Sequence, residues 1–323
     1  MNILLNGHSD IPYWIGLACT LCAIIIAALG SNVKKRALEK LQDDPRSYEN
    51  KNYFLQYPLW WLGIILMVLG EIFYIAAYIF APVSLVTPLS SLVIVLKAVI
   101  CKRSTQEVVN VVGQTGCLLC VLGSVVIVIR APKIMFATME NLFLVPAISI
   151  TTVLVALAIF TSIYISLNYY SKQILVYVIV SSAWGSLTII FYKFLGICIK
   201  QAIVTILKND FKIYLFLIIA IFCCVLKEIY MRKSETLFNP NVVESLSYTL
   251  TVIFALLGAG AIFEEWNYLV YADVLEIWLG FVFISTGLFL LHWFSTYSMN
   301  WASLNSLLQI TENGLIDNEI NFD

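Results

Sequence analysis

Long apolar runs separated by short polar breaks make up almost the whole chain. The runs cover residues 11–33, 57–81, 83–101, 108–129, 142–167, 173–199, 211–231, 241–263 and 274–297. A helix needs about 20 apolar residues to cross the hydrocarbon core of a bilayer. The pattern therefore predicts an all-α polytopic membrane bundle of about nine transmembrane helices. The third and eighth runs are the weakest, because each holds polar or ionisable residues. The main polar stretches are Lys34 to Gln56 and Trp301 to Asp323, leaving no room for a sizeable soluble domain.

Polar residues inside the runs are the candidates for function. Glu71 stands in the middle of Leu59 to Pro82. Insertion scales put a charged side chain at mid-bilayer at roughly +2.5 to +3.5 kcal/mol, so such a residue normally faces a bundle interior, a partner or water. Glu228 is the corresponding acid in the seventh run; its alternative is a solvated place near the membrane face. Lys193 and Lys227 could neutralise buried acids, although Lys227 and Glu228 point about 100° apart on a helix. Lys193 reads equally as structural pairing or as a functional counter-ion. Ser84-Leu85-Val86-Thr87-Pro88 with Ser90 and Ser91 marks an interrupted helix. Proline removes a donor and frees the carbonyl four residues back, here Ser84. Carbonyls freed at membrane depth either line a cavity or are buried, and transporter sites are often built there. A kinked packing helix is the plain alternative.

Composition narrows the class further. The chain is 61% hydrophobic and 12% charged, against about 25% charged in a soluble domain. The net charge of −1 gives no footprint for nucleic acid. The eight cysteines lie almost all in apolar runs, which is not a secreted disulfide framework. Cys117-Leu-Leu-Cys120, between Gly116 and Gly123, reads as small-residue helix packing. Two histidines, His8 and His292, and no nucleophile elbow, P-loop or dinucleotide motif argue against an enzyme and against any cofactor. The acids Glu264, Glu265, Asp273 and Glu276 read as a solvated loop that could gather cations at a mouth.

Basic residues set the orientation. Lys34, Lys35, Arg36, Lys40, Arg46 and Lys51 crowd the first loop, which puts the N-terminus outside or lumenal and the C-terminus cytosolic. Order also suggests an internal repeat. Gly116 and Gly123 in span four match Gly280 and Gly287 in span nine, and Pro82 to Ser90 leads span three as Asn239 to Ser247 leads span eight. The expected organisation is a first membrane repeat at 1–135, a linker helix at 136–170, an inverted second repeat at 171–300 and a cytosolic tail at 301–323. An odd number of spans between the units inverts them.

These residues also carry a resemblance. Leu59-Trp-Trp-Leu-Gly63, Gly70-Glu71, Ala76-Ala-Tyr78, Phe80-Ala-Pro82, Leu85-Val-Thr-Pro-Leu89, Leu122-Gly-Ser124, Ala131-Pro-Lys133 and Glu265-Trp266 resemble the NIPA-like magnesium transporters of the drug/metabolite transporter superfamily. The likeness implies nine spans, a plasma-membrane or endosomal location and transport of Mg²⁺ with some other divalent ions. It places Glu71 on the family's Gly-Glu position, with Thr87 and Pro88 following. Four places differ from the family's pattern: Tyr74, Lys97, Val243-Glu-Ser245 and Lys227 to Arg232.

The expectation is a transporter with a path between the repeats, lined by Glu71, Ser84, Thr87, Pro88, Lys193 and Glu228. Glu71 and Thr87 would hold a partly hydrated Mg²⁺, which is cargo rather than cofactor. Partners are the divalent cation and the lipid bilayer, with room for a homo-oligomer. One alternative is an organic-metabolite carrier of the same superfamily, since Lys97 and Lys193 would favour an anionic substrate. Another is a non-transporting receptor or scaffold.

Overall fold

The computed structural model describes residues 3–42, 57–105, 111–132, 151, 153–162, 174–204, 211–237, 240–263 and 265–293. The elements are α1 (Ile3–Gln42), α2 (Pro58–Phe80), α3 (Val83–Leu89), α4 (Leu92–Thr105), α5 (Val111–Arg130), α6 (Val153–Ser162), α7 (Ile174–Val204), α8 (Phe211–Leu237), α9 (Pro240–Phe263), a 3₁₀ turn (Glu265–Tyr268) and α10 (Tyr271–Trp293). Among the described residues eight spans are long and apolar enough to cross a membrane. An all-α membrane bundle is what the apolar pattern dictates. Most of the expected linker span, 142–167, lies outside the described residues; α6 is its described part. The tail at 301–323 lies outside them as well.

Proline chemistry explains the third span. α2 starts with Pro58 in its first turn, where the missing N–H costs nothing. Ala81 precedes Pro82 and is driven out of the helical region; its φ of −118° and ψ of 154° are extended. Pro82 continues extended and α3 begins at Val83. All seven residues of α3 are buried. A turn at Ser90 and Ser91 separates α3 from α4, with the Ser91 N–H donating to the Pro88 carbonyl at 3.2 Å. One expected span is thus two helices, a buried half-helix followed by a longer one.

Three close pairs form the frame: α1 with α2, α5 with α10, and α7 with α8. α9 lies among α3, α7, α8 and α10, and α2 packs along α7. The backbones of α2 and α8 make few close approaches, so α7 spans the gap between them. Between lipid-embedded helices there is no hydrophobic drive, and close van der Waals packing through small residues takes over. At the α5–α10 seam a Cβ on Gly116 would lie 2.6 Å from the Gly287 carbonyl oxygen, and one on Gly287 would lie 2.5 Å from that of Gly116. Gly123 and Gly280 meet in the same way. Cys120 is fully buried in this seam and its Sγ donates to the Ile284 carbonyl, so the C-x-x-C spacing serves packing.

Apolar side chains such as Leu118, Ile129, Phe160 and Ile218 face outward, while Ser181, Ser182, Thr188, Ser247 and Thr251 are buried. That is a membrane protein's inside-out distribution. The Ser181 and Ser247 hydroxyls lie 3.0 Å apart, and Ser182 donates to the Ser247 carbonyl at 3.0 Å, tying α7 to α9. We call the end where α1 begins proximal and the end where it finishes distal.

Candidate cation-binding site

Where the chain passes from the second span into the third, at Ala81–Pro82, two sets of backbone groups are left open, the last carbonyls of α2 and the first N–H groups of α3. Two charged side chains satisfy them. Lys193 on α7 is 1% exposed. Its Nζ donates to the carbonyls of Tyr78 at 3.1 Å and Ala81 at 2.7 Å. Glu265, in the turn after α9, is 7% exposed. Its Oε1 accepts from the Val83 N–H at 2.8 Å and its Oε2 from the Ser84 N–H at 3.0 Å. A cation at a helix C-terminus and an anion at an N-terminus each match the backbone dipole. The two side chains also lie within each other's field. Together they staple the proximal side of the break. Glu265 had been expected in a solvated acidic loop. The structure corrects that: it is buried, because α3 needs its carboxylate. Asp273 and Glu276 of the same expected patch pair with Arg130, at 3.1 Å and 2.6 Å.

Below the staple lies a layer of tyrosines. Tyr78 and Thr87 hydroxyls are 3.2 Å apart. Tyr248 on α9 donates to the Thr87 carbonyl at 2.5 Å, with the Pro88 carbonyl at 3.2 Å and the Ser90 hydroxyl at 3.1 Å. Ser90 donates to the Thr87 carbonyl and Ser91 to that of Pro88, both at 2.7 Å. Side-chain donors thus gather on the carbonyls of Thr87 and Pro88. Among the described residues two buried hydroxyls, Tyr74 and Ser84, have no hydrogen-bond partner. An unsatisfied buried hydroxyl costs about 1–3 kcal/mol.

Glu71 lies one layer further toward the distal end. It is exposed rather than packed away. Yet Tyr192 on α7 hydrogen-bonds its carboxylate, and Lys227 and then Glu228 on α8 are its charged neighbours. Tyr74 is beside it on α2. The carboxylate is therefore on the side of α2 that looks toward α7 and α8. Lys227 lies against α7: a Cβ on Gly185 would lie 3.4 Å from its Cδ. Among the described residues no group of three or more His, Cys, Asp or Glu could hold a metal in a closed cage.

Further toward the distal end lies a group of charged side chains. Lys97 on α4 and Glu244 on α9 form an ion pair at 2.9 Å, about one-third exposed. Lys34, Glu228, Arg232 and Glu235 lie in the same electrostatic neighbourhood. Acids and bases alternate from Glu71 and Lys227 outward.

The comparisons with known proteins are decisive on kinship. The family model described as "Magnesium transporter NIPA" matches residues 11–296. The chain belongs to the NIPA family. Two Arabidopsis thaliana relatives named "Probable magnesium transporter" are 34% and 33% identical over 273 residues, 80% of this chain and 80% of each relative. A Homo sapiens "Magnesium transporter" of the family is 28% identical over 331 residues, covering all of this chain and 80% of the relative. No solved structure matches. These names denote transporters, a non-enzymatic class, as the motif survey anticipated.

Within this NIPA fold the expected site residues divide into groups. Thr87, Pro88 and Ser84 sit together in α3. Lys193 sits at the staple beside them. Thr87 is bonded to Tyr78, and Glu71 lies further along α2 beyond Tyr74, with no hydrogen bond between Glu71 and Thr87 among the described residues. Glu228 is exposed on α8, in the field of Glu71. Sequence reading missed Tyr192, Tyr248 and the capping role of Glu265. A hydroxyl carried on an aromatic ring at mid-span is the signal that marks the two tyrosines. Tyrosine usually sits at the membrane interfaces, and these do not.

Proposed function

We propose that this NIPA family chain carries Mg²⁺ across its membrane, with Glu71 as the residue that meets the ion. The observation that carries the reading is a membrane-depth carboxylate that stays accessible, held by Tyr192, beside the orphan hydroxyl of Tyr74. Mg²⁺ sheds its water reluctantly and is bound through one or two carboxylates while keeping several waters. One carboxylate among tyrosine hydroxyls, without a cage, suits such an ion. Other divalent ions of similar hydration fit less well but enter the same site.

Phe191, Phe194, Phe216 and Phe263 pack together toward the proximal end, beside the staple, which supports a closed proximal side, and the path would run from Glu71 toward the distal charges. By the basic-residue rule the distal end is cytosolic, which makes this an inward-open arrangement of an alternating-access carrier. The glycine contacts support inverted repeats: Gly116 with Gly287 and Gly123 with Gly280 exchange places under the 164-residue offset between the halves. The anionic-metabolite reading loses its argument, because Lys193 binds backbone carbonyls and Lys97 pairs with Glu244. Purified protein in liposomes loaded with a Mg²⁺ indicator tests the function. Saturable Mg²⁺ influx that Ca²⁺ inhibits weakly is expected. Empty-liposome rates at every Mg²⁺ concentration would reject it.

A further inference from the structure

The four hydrogen bonds of the staple run between the two halves of the chain. Lys193 and Glu265, from the second half, supply side chains; Tyr78, Ala81, Val83 and Ser84, from the first, supply backbone groups. The join they hold is two extended residues between helices, Ala81 at φ −118°, ψ 154° and Pro82 at φ −70°, ψ 156°. Gly196 follows Lys193 by three residues, on the same face of α7. A Cβ there would lie 3.1 Å from the Ile79 nitrogen and from the Tyr78 carbonyl, so α7 comes close enough for the lysine to reach. Glu265 is fixed by its neighbour. The Trp266 ring packs on Gly260 of α9, where a Cβ would lie 2.6 Å from it, and stands edge-on to Trp278 of α10 with centroids 6.3 Å apart. Glu265 therefore moves with α9 and α10. The other end of α3 is held differently. Ser90 donates to the Thr87 carbonyl and Ser91 to that of Pro88, and these partners travel with α3 itself; Tyr248 of α9 adds to them.

We infer that Lys193 and Glu265 form the proximal latch of the carrier: access from that side opens when the second half of the chain draws both side chains off the α2–α3 join and the N-terminal end of α3 swings about the Ser90–Ser91 turn. The inference rests on the alternating-access reading above. Closed, the latch sets a cation on a helix C-terminus and an anion on an N-terminus. Open, the same backbone groups and both charges meet water. Exchanging protein partners for water leaves only a modest net difference per hydrogen bond, which suits a contact made and broken in every cycle. The C-terminal carbonyls of α3 keep their serine partners throughout, so the N-terminal end is the one that parts.

Ser84→Cys supplies the reporter. Ser84 is fully buried and its Oγ has no hydrogen-bond partner among the described residues, so a thiol replaces it without losing a bond. The full chain, in intact and in inverted membrane vesicles, is treated with a membrane-impermeant methanethiosulfonate, and labelling at position 84 is read by peptide mass spectrometry. Glu265→Gln keeps shape and removes charge; Lys193→Met keeps the stem and removes charge. Each raises the labelling rate by about fivefold or more, the population shift that follows from losing one net hydrogen bond, and does so from one face of the membrane only. Val243→Cys, fully buried at the distal start of α9, is the control. Its labelling stays unchanged, whereas a fold merely loosened by the substitutions raises both. A rise confined to position 84 and to one face supports the inference. No rise, a rise at both positions or a rise from both faces overturns it while the unmodified protein still transports Mg²⁺. If neither charge variant folds, Gly196→Ala, whose Cβ crowds the Tyr78 carbonyl, decides by the same criterion. Absence of Mg²⁺ influx in the unmodified protein removes the parent reading instead.

Discussion

Replacing Glu265 by Ala tests the physical argument about the join between the second and third spans. Two N–H groups, at 2.8 Å and 3.0 Å from its oxygens, lose their acceptor at once. A hydrogen bond to a charged group contributes about 1.5–3 kcal/mol. Lys193, 1% exposed, also loses the opposite charge in its field. The two effects overlap, so we expect a loss of about 3–5 kcal/mol in all. By the scaling for chains of a few hundred residues this lowers the melting temperature by roughly 10 °C. The assay is intrinsic-fluorescence melting of purified protein in detergent, with Lys193→Met and the double variant alongside. Because both residues serve one break, the double variant is expected to lose about 1–3 kcal/mol less than the two single losses added together. A Glu265→Ala protein that melts like the unmodified chain, or losses that simply add, would refute the staple.

Other consequences follow from the same contacts. Lys97→Glu and Glu244→Lys each put like charges across the distal mouth and slow Mg²⁺ influx several-fold, and the combined swap restores the rate; the pair is about one-third exposed, so the effect on melting is small, about 1 kcal/mol at most. Gly123→Leu drives a side chain into the Gly280 carbonyl, an overpacking cost of about 1–3 kcal/mol or more, read as loss of the monodisperse peak in size-exclusion chromatography. Tyr192→Phe removes the hydroxyl that holds Glu71 and raises the half-saturating Mg²⁺ concentration by about tenfold, the value of a charged hydrogen bond at the low end of its range.

Much of this architecture was legible in the sequence because the bilayer permits so few solutions. Unsatisfied backbone is intolerable in hydrocarbon, so an apolar run of the right length reads directly as a helix. The break at Pro82 was legible for the same reason, since proline chemistry is local. What was not legible is long-range. Glu265 follows span eight in sequence, yet it caps a half-helix more than 180 residues earlier, from Val83 and Ser84. Nothing in its own neighbourhood distinguishes it from a solvated acid. Lys97 and Glu244 each looked like a departure from the family's pattern. Only the fold shows that they answer one another across α4 and α9. Lys227 and Glu228 are adjacent, and helix geometry alone put them on different faces. Only the fold shows that both lie in the field of Glu71.

The account as a whole depends on Glu71 meeting the ion. The most direct measurement is Mg²⁺ influx into liposomes containing Glu71→Gln, a change that keeps shape and removes charge. The protein must be reconstituted in matched amounts, with its melting temperature checked against the unmodified chain. We expect influx to fall at least tenfold, toward the empty-liposome rate, in a protein that remains folded. Influx at the unmodified rate and half-saturating concentration would contradict the assignment.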